Sequence, residues 1–178
     1  TMLHLPTHPF TAEDFRLRAA HERGPFPEAD YGDHRLNPDL RDMIVRDGLR
    51  DAAVLIPVVD RGDEASVILT KRTEKLRSHS GQIAFPGGRL DATDPTPEYA
   101  ALRETEEEIG LAPRFVEVVG RMPDYVTGSG FRIAPILSVV RPGFRLTINP
   151  DEVDDAFEVP LSFLMDPANH NRGSRIWE

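Results

Sequence analysis

The chain contains no cysteine. That excludes disulfides, thiolate metal sites and cysteine nucleophiles, and it suits a reducing, cytoplasmic setting. It has no apolar run near the roughly 20 residues of a membrane span, and Thr1–Phe10 lacks the basic-then-apolar order of a signal peptide. We therefore expect no membrane partner. Positive charge is in deficit: 21 Lys and Arg stand against 30 Asp and Glu, a net charge of −9. Such a surface repels polyanions, which argues against broad nucleic-acid binding. There is also no internal repeat, low-complexity tract or long linker. What remains is 178 residues, 39% hydrophobic and 29% charged, a composition and length that suit one globular enzyme-sized domain.

The most concentrated chemistry lies in Arg103-Glu104-Thr105-Glu106-Glu107-Glu108-Ile109-Gly110-Leu111. In a helix each residue advances about 100°, so Glu104, Glu107 and Glu108 share a face. Glu106 points away, and Leu102, Thr105 and Ile109 form the opposite, packing side. Two readings fit. The run is a solvated acidic face, or it is an oxygen-ligand site for a hard divalent cation that cancels the repulsion among the carboxylates. The flanking residues decide between them.

Along the chain, Thr11 caps an expected helix over Ala12–Glu22, and Asn37 with Pro38 begins a second that runs towards Gly48. Leu40, Ile44 and Val45 are its expected buried stripe. His4, His8, His21 and His34 are isolated and read as surface or loop residues. Strands are expected at Ala53–Val59, Ser66–Thr70, Phe115–Arg121, Arg132–Val140 and Phe144–Ile148, with a short extended piece over Gln82–Phe85. Asp91–Pro97 is a polar loop. Thr96 and Pro97 start the glutamate helix and Gly110 ends it. Asn149–Asp155 is an acidic loop, Phe157–Val159 is extended, and Leu161–Met165 is a helical turn. Residues 1–50 form an N-terminal helical and loop extension packed on a main domain of 51–178. Together they predict an α/β (α+β) layered fold with a central mixed sheet.

Three flanking features favour the cation site. Pro86-Gly87-Gly88 lets the backbone come close to a ligand, and a carbonyl there is a hard oxygen donor. Arg103 lies i,i+4 to Glu107 and can hold that carboxylate. Lys71, Arg72, Lys75, Arg77 and His79 form a basic segment upstream, offset only by Glu74. A metal-binding carboxylate helix beside a glycine turn and cations points to metal-assisted chemistry on a phosphorylated substrate.

Gly88–Leu111 resembles the Nudix box, Gly-x5-Glu-x7-Arg-Glu-U-x-Glu-Glu-x-Gly-U with U bulky and apolar. Two departures stand out. Thr105 occupies an apolar position, and the first acidic residue is Asp94, followed by eight residues rather than seven before Arg103. That position mostly supports the loop, so little loss of chemistry is expected. Leu69-Thr70-Lys71-Arg72 and Leu76–Gly88 further resemble the motif that the coenzyme A pyrophosphatase subfamily carries upstream of its box. Val126–Phe131 and Glu158–Leu164 are also similar to that subfamily. The resemblance implies a Nudix-like α/β/α sandwich. It implies hydrolysis of coenzyme A and its derivatives to 4′-phosphopantetheine and adenosine 3′,5′-bisphosphate, with Mg2+ or Mn2+ required.

On this reading Glu104 and Glu108 are the principal metal ligands, with Glu107 and the Gly88 carbonyl completing the shell, and Arg103 orients Glu107. The general base is Glu152, in the loop Asn149-Pro150-Asp151-Glu152-Val153, or alternatively Glu107. Arg72, Arg77 and His79 are expected to bind substrate phosphates, because arginine offers bidentate donors, and Gln82 to bind polar substrate atoms or support the loop. Another nucleoside diphosphate derivative (ADP-ribose, a dinucleotide or a nucleoside triphosphate) remains an alternative substrate, and a non-catalytic nucleotide-sensing module an alternative class. The chain is expected to act as a monomer or homodimer.

Overall fold

The computed structural model describes residues 8–21, 31–75, 81–171 and 173. Arg77 and His79, and Glu22 at the end of the expected first helix, lie outside them. In chain order the elements are α1 (Ala12–His21), β1 (Tyr31–Gly32), a 3-10 turn (Asp33–Arg35), α2 (Pro38–Asp47), β2 (Arg50–Asp60), β3 (Ala65–Arg72), β4 (Ile83–Ala84), β5 (Gly87–Arg89) and α3 (Pro97–Ile109). A 3-10 turn (Pro113–Phe115) leads into β6 (Val116–Arg121), β7 (Tyr125–Val126), β8 (Phe131–Val140), β9 (Val153–Pro160) and α4 (Leu161–Met165), and the turn Pro167–Asn169 follows.

The sheet is mixed. Its order is β1-β7-β8-β2-β3-β4, with β5 on β2, β6 on β8 and β9 on β3. The long parallel pair β2–β8 is its spine, in register from Arg50↔Phe131 to Val59↔Val140. Alternating side chains of β2 go to opposite layers. Ala53 and Leu55 pack with Ala100 and Ala101 of α3 and with Ala134 and Ile136 of β8. Val59 continues that layer with Ile68, Ile109, Leu111, Val140 and Val153. On the other face Val58 joins Ala65, Val67 and Leu161 of α4, while Ala12 and Ala19 of α1 pack on Val119 and Val139. Helices thus cover both faces of a central mixed sheet. The alanines of α3 let its axis lie close to β2, and that closeness brings the glutamate side chains to the strand ends.

Thr11 Oγ1 accepts from Asp14 N at 3.1 Å and caps α1. Asn37 Oδ1 accepts from Asp39 N and caps α2, and Thr96 Oγ1 accepts from Tyr99 N to cap α3. Gly110 ends α3 in the left-handed conformation (φ 70°), which glycine enters at no steric cost.

Several expectations need correction. The stripe of α2 is not buried: Val45 is 87% exposed, and Leu40 and Ile44 are only half-buried. The helix packs on the turn before it and beside the loop holding Gly128 and Gly130, where Leu40 and Met43 lie. His34 is buried rather than at the surface. Phe144–Ile148 is not a strand. Its Phe144 ring and Leu146 cover Ile109 and Leu111, and Thr147 N donates to Ile109 O at 2.8 Å, so this backbone caps α3 instead of joining the sheet. The acidic loop is shorter than expected, because β9 already begins at Val153.

Candidate active site

The site is built where α3, the turn between β4 and β5, the end of β3 and the loop before β9 meet. Its anchor is Asp94. That side chain is 1% exposed and grips Arg103 with two bonds, Nε to Oδ1 at 2.9 Å and Nη2 to Oδ2 at 2.8 Å. Asp91 N also donates to Asp94 Oδ2 at 2.8 Å. These bonds hold the Asp94 carboxyl below its ordinary range, Arg103 being the main cause. With its fork fixed on one side, Arg103 turns Nη1 towards Glu104 at 2.8 Å and Glu107 at 3.2 Å. The expected Arg103–Glu107 contact is present, but Arg103 also pairs with Asp94, Glu104 and, at 3.6 Å, Asp91. Asp94 supports its loop, as expected, and is also the fixed end of this clamp, which its spacing in the box does not by itself reveal. The available signal was the presence of an acid in the box at all: a guanidinium satisfies one bidentate partner and still has donors to spare.

The four glutamates separate by depth. Glu106 points to solvent, as expected, and the Glu107 side chain is 56% exposed. Glu104 is half-buried, and burial raises its pKa against the pull of Arg103. Glu108 is buried, as are its neighbours Thr105 and Ile109 on α3, so the three carboxylates expected on one face differ in depth. Burial pushes the Glu108 carboxyl up to about 7, although Gly87 N donates to its Oε2 at 3.1 Å and Arg72 lies near. Thr105 fits the apolar position because its hydroxyl donates to Ala101 O at 2.7 Å. Buried on the packing side of the helix, it leaves no polar atom unpaired.

Gly88 lies directly under Glu104, and a Cβ there would collide with the carboxylate. Gly87, at φ 152°, approaches Val54 so closely that a Cβ would sit 2.6 Å from its Cα. The two glycines let the strand pass beneath the carboxylates. At the other end of α3, Asn149 N donates to Glu108 O at 2.8 Å, and Thr73 N donates to Glu152 O at 3.0 Å. These bonds draw the acidic loop to the site. Asn149 Nδ2 donates to Glu152 Oε2 at 3.2 Å, and the charge of Glu152 disfavours ionisation of both Glu104 and Glu108.

From the basic segment, Arg72 reaches the site, its Nη1 3.9 Å from Glu108 Oε1. Gln82 is exposed, and its carbonyl accepts from Arg72 N at 2.9 Å. Among the described residues no three Asp, Glu or His side chains stand together as a ready-made metal site. The donors still fit a hard cation: buried carboxylate oxygens in mutual repulsion above a glycine backbone are what such an ion relieves.

A model of the NUDIX domain family matches residues 49–176. The uncharacterized Nudix hydrolase NudL of Klebsiella pneumoniae (strain 342) is 39% identical over 163 residues, 82% of this chain and 84% of that one. Its namesake in Enterobacter sp. (strain 638) is 37% identical over 159 residues, covering 89% and 73%. Among solved structures, a Nudix hydrolase from M. smegmatis, RenU, aligns with a TM-score of 0.55 at 23% identity, covering 65% of this chain and 73% of that one. A C. elegans Ap4A hydrolase binary complex aligns at 0.55 and 16% identity, covering 68% and 88%. At these identities the structural likeness establishes the fold. The matched domain and the close relatives extend well beyond the glutamate helix, and the chain belongs to the Nudix family.

Proposed function

We propose that this protein is a pyrophosphohydrolase that uses Mg2+ or Mn2+ to split coenzyme A and its derivatives into 4′-phosphopantetheine and adenosine 3′,5′-bisphosphate. Family membership supports hydrolysis of a nucleoside diphosphate derivative, and Nudix hydrolases generally use divalent ions. The observation that carries the narrower reading is the position of Arg72. It belongs to the segment that resembles the coenzyme A motif, and its guanidinium lies 3.9 Å from a carboxylate of the glutamate helix. The segment that would choose the substrate therefore adjoins the helix that would hold the cation.

Glu104, Glu108 and the Gly88 carbonyl would hold the cation, with Glu107 within reach. The bound ion supplies charge neutralisation at the pyrophosphate and a water of lowered pKa. Asp94 and Arg103 hold Glu104 and Glu107 in place. Glu152, its carboxylate fixed by Asn149, takes the proton from the attacking water; Glu107 is more exposed and already engaged by Arg103. Arg72, with Arg77 and His79, binds the phosphates, and a 3′-phosphate gives the extra cations a target that a plain diphosphate lacks. Gln82 supports Arg72 through its backbone.

The test is a substrate panel. Coenzyme A, its 3′-dephospho form, ADP-ribose, a dinucleotide and a nucleoside triphosphate are compared by kcat/KM with each metal. Coenzyme A is expected to lead, with a lower KM than its dephospho form. A higher kcat/KM for ADP-ribose, the dinucleotide or the triphosphate would reassign the substrate. No turnover on any of them would favour a nucleotide sensor.

A further inference from the structure

Arg72 combines a tightly fixed backbone with an incompletely bonded head group. At the exit of β3 its N–H donates to Gln82 O at 2.9 Å and its carbonyl accepts from Gly81 N at 3.0 Å. The next residue, Thr73, donates its N–H to Glu152 O. The guanidinium is less committed. Its approach to Glu108, 3.9 Å, is too long for a hydrogen bond, and its Nε is buried without a partner among the described residues. An arginine free to settle on a carboxylate takes it bidentately, as Arg103 takes Asp94. Glu108 gives one oxygen to Gly87 N and offers Arg72 only its field.

We propose that Arg72 is a place-holding counter-charge: it offsets Glu108 while no cation is bound, and its guanidinium passes to a phosphate of the substrate when a divalent cation takes over that carboxylate. The orphaned Nε is then the donor reserved for the phosphate. One residue would couple the two binding events, with the cation entering first and the substrate second. Arg72 thereby competes with the cation and cooperates with the substrate. The proposal rests on the metal-dependent phosphate reading above, but not on coenzyme A as the substrate.

The test measures Mn2+ binding to the full chain without substrate at pH 8, by the electron paramagnetic resonance signal of free Mn2+. Arg72→Gln removes the competing charge and is expected to bind Mn2+ about three- to tenfold more tightly than the parent, the scale of one partly screened charge near the site. Arg72→Lys keeps the charge and stays within about twofold of the parent. Both variants raise KM for whichever nucleotide proves to be cleaved, because neither offers the bidentate fork. In a Glu108→Gln background the gain from Arg72→Gln disappears. Unchanged or weaker Mn2+ binding by Arg72→Gln would overturn the proposal, as would equal tightening by Arg72→Lys. Failure of coenzyme A as a substrate leaves these readings untouched, so the two ideas fail separately.

Discussion

Glu108 shows how much chemistry depends on depth. Its pKa of about 7 is set mainly by burial, against about 4.5 in an unfolded chain. Below pH 4.5 both states hold the proton, and the group costs nothing. Between 4.5 and 7 the unfolded chain ionises while the folded one does not, so stability falls as pH rises, and above 7 the penalty is constant. A shift of this size corresponds to a penalty on the order of 3 kcal/mol. Glu108→Gln, measured in EDTA, should therefore raise Tm at pH 8 and have little effect at pH 5. With saturating Mg2+ the same variant should lose turnover by about a hundredfold or more, because it removes a proposed ligand of the ion. A Tm gain equal at both pH values would argue against burial as the cause. Asp94 acts at the same scale but through Arg103. Asp94→Asn breaks the two-pronged grip and should cost about 2 kcal/mol of stability, in line with hydrogen bonds to charged groups. It should lower kcat roughly tenfold with little change in KM, since Glu104 and Glu107 lose their fixed frame while the phosphate contacts remain. A rise in KM alone would place Asp94 in substrate binding instead. Glu104 and Arg103 were readable from spacing. The depth of Glu108 was not, because helix geometry gives the angle between side chains but not how far the neighbouring strand closes over them.

The helix α3 was legible from end to end because each boundary has a local chemical cause: Thr96 and Pro97 at one end, and at the other a glycine in the left-handed region. The segment after it was not legible. Phe144 and Leu146 have the apolar spacing of a strand, but they pack on Ile109 and Leu111 while Thr147 N and Asn149 N bond the last carbonyls of α3, and only the tertiary fold shows that. Gly110 joins the two elements. A Cβ there would lie 3.0 Å from both the nitrogen and the oxygen of Thr147. Gly110→Ala should thus destabilise by about 1–2 kcal/mol, the left-handed backbone contributing about 1. It should also lower kcat, because displacing 147–149 moves the loop that carries Glu152. Urea unfolding and steady-state kinetics on one preparation would check both effects. Loss of stability with kcat intact would mean that the capping segment does not set the position of Glu152. β4 falls within the extended piece expected over Gln82–Phe85, but β1, β5 and β7 left little trace in the sequence, since two or three residues cannot display a period and only pairing with a neighbour makes them strands.

At the scale of the whole molecule the layered mixed fold follows from the sequence. Apolar β2 and β8 require cover on both faces; α3, between them in the chain, covers one, and α1 and α4, before and after them, cover the other. The weaker part is α2, whose apolar residues suggested a buried stripe yet leave Val45 87% exposed. A 10-residue amphipathic pattern says that one face is apolar but not which surface will meet it. The fold brings Glu104 and Glu108, the clamp of Asp94 and Arg103, the loop carrying Glu152, and Arg72 into one neighbourhood, though they come from four separate stretches of chain. The proposed reaction, cleavage of coenzyme A at its pyrophosphate with a divalent ion, is tested most directly by incubating coenzyme A with the protein and Mg2+ or Mn2+ and identifying the products by mass. 4′-Phosphopantetheine and adenosine 3′,5′-bisphosphate should form in equal amounts, with formation stopped by EDTA and by Glu104→Gln. Intact coenzyme A under both metals, from a preparation that cleaves ADP-ribose or a dinucleotide, would contradict it.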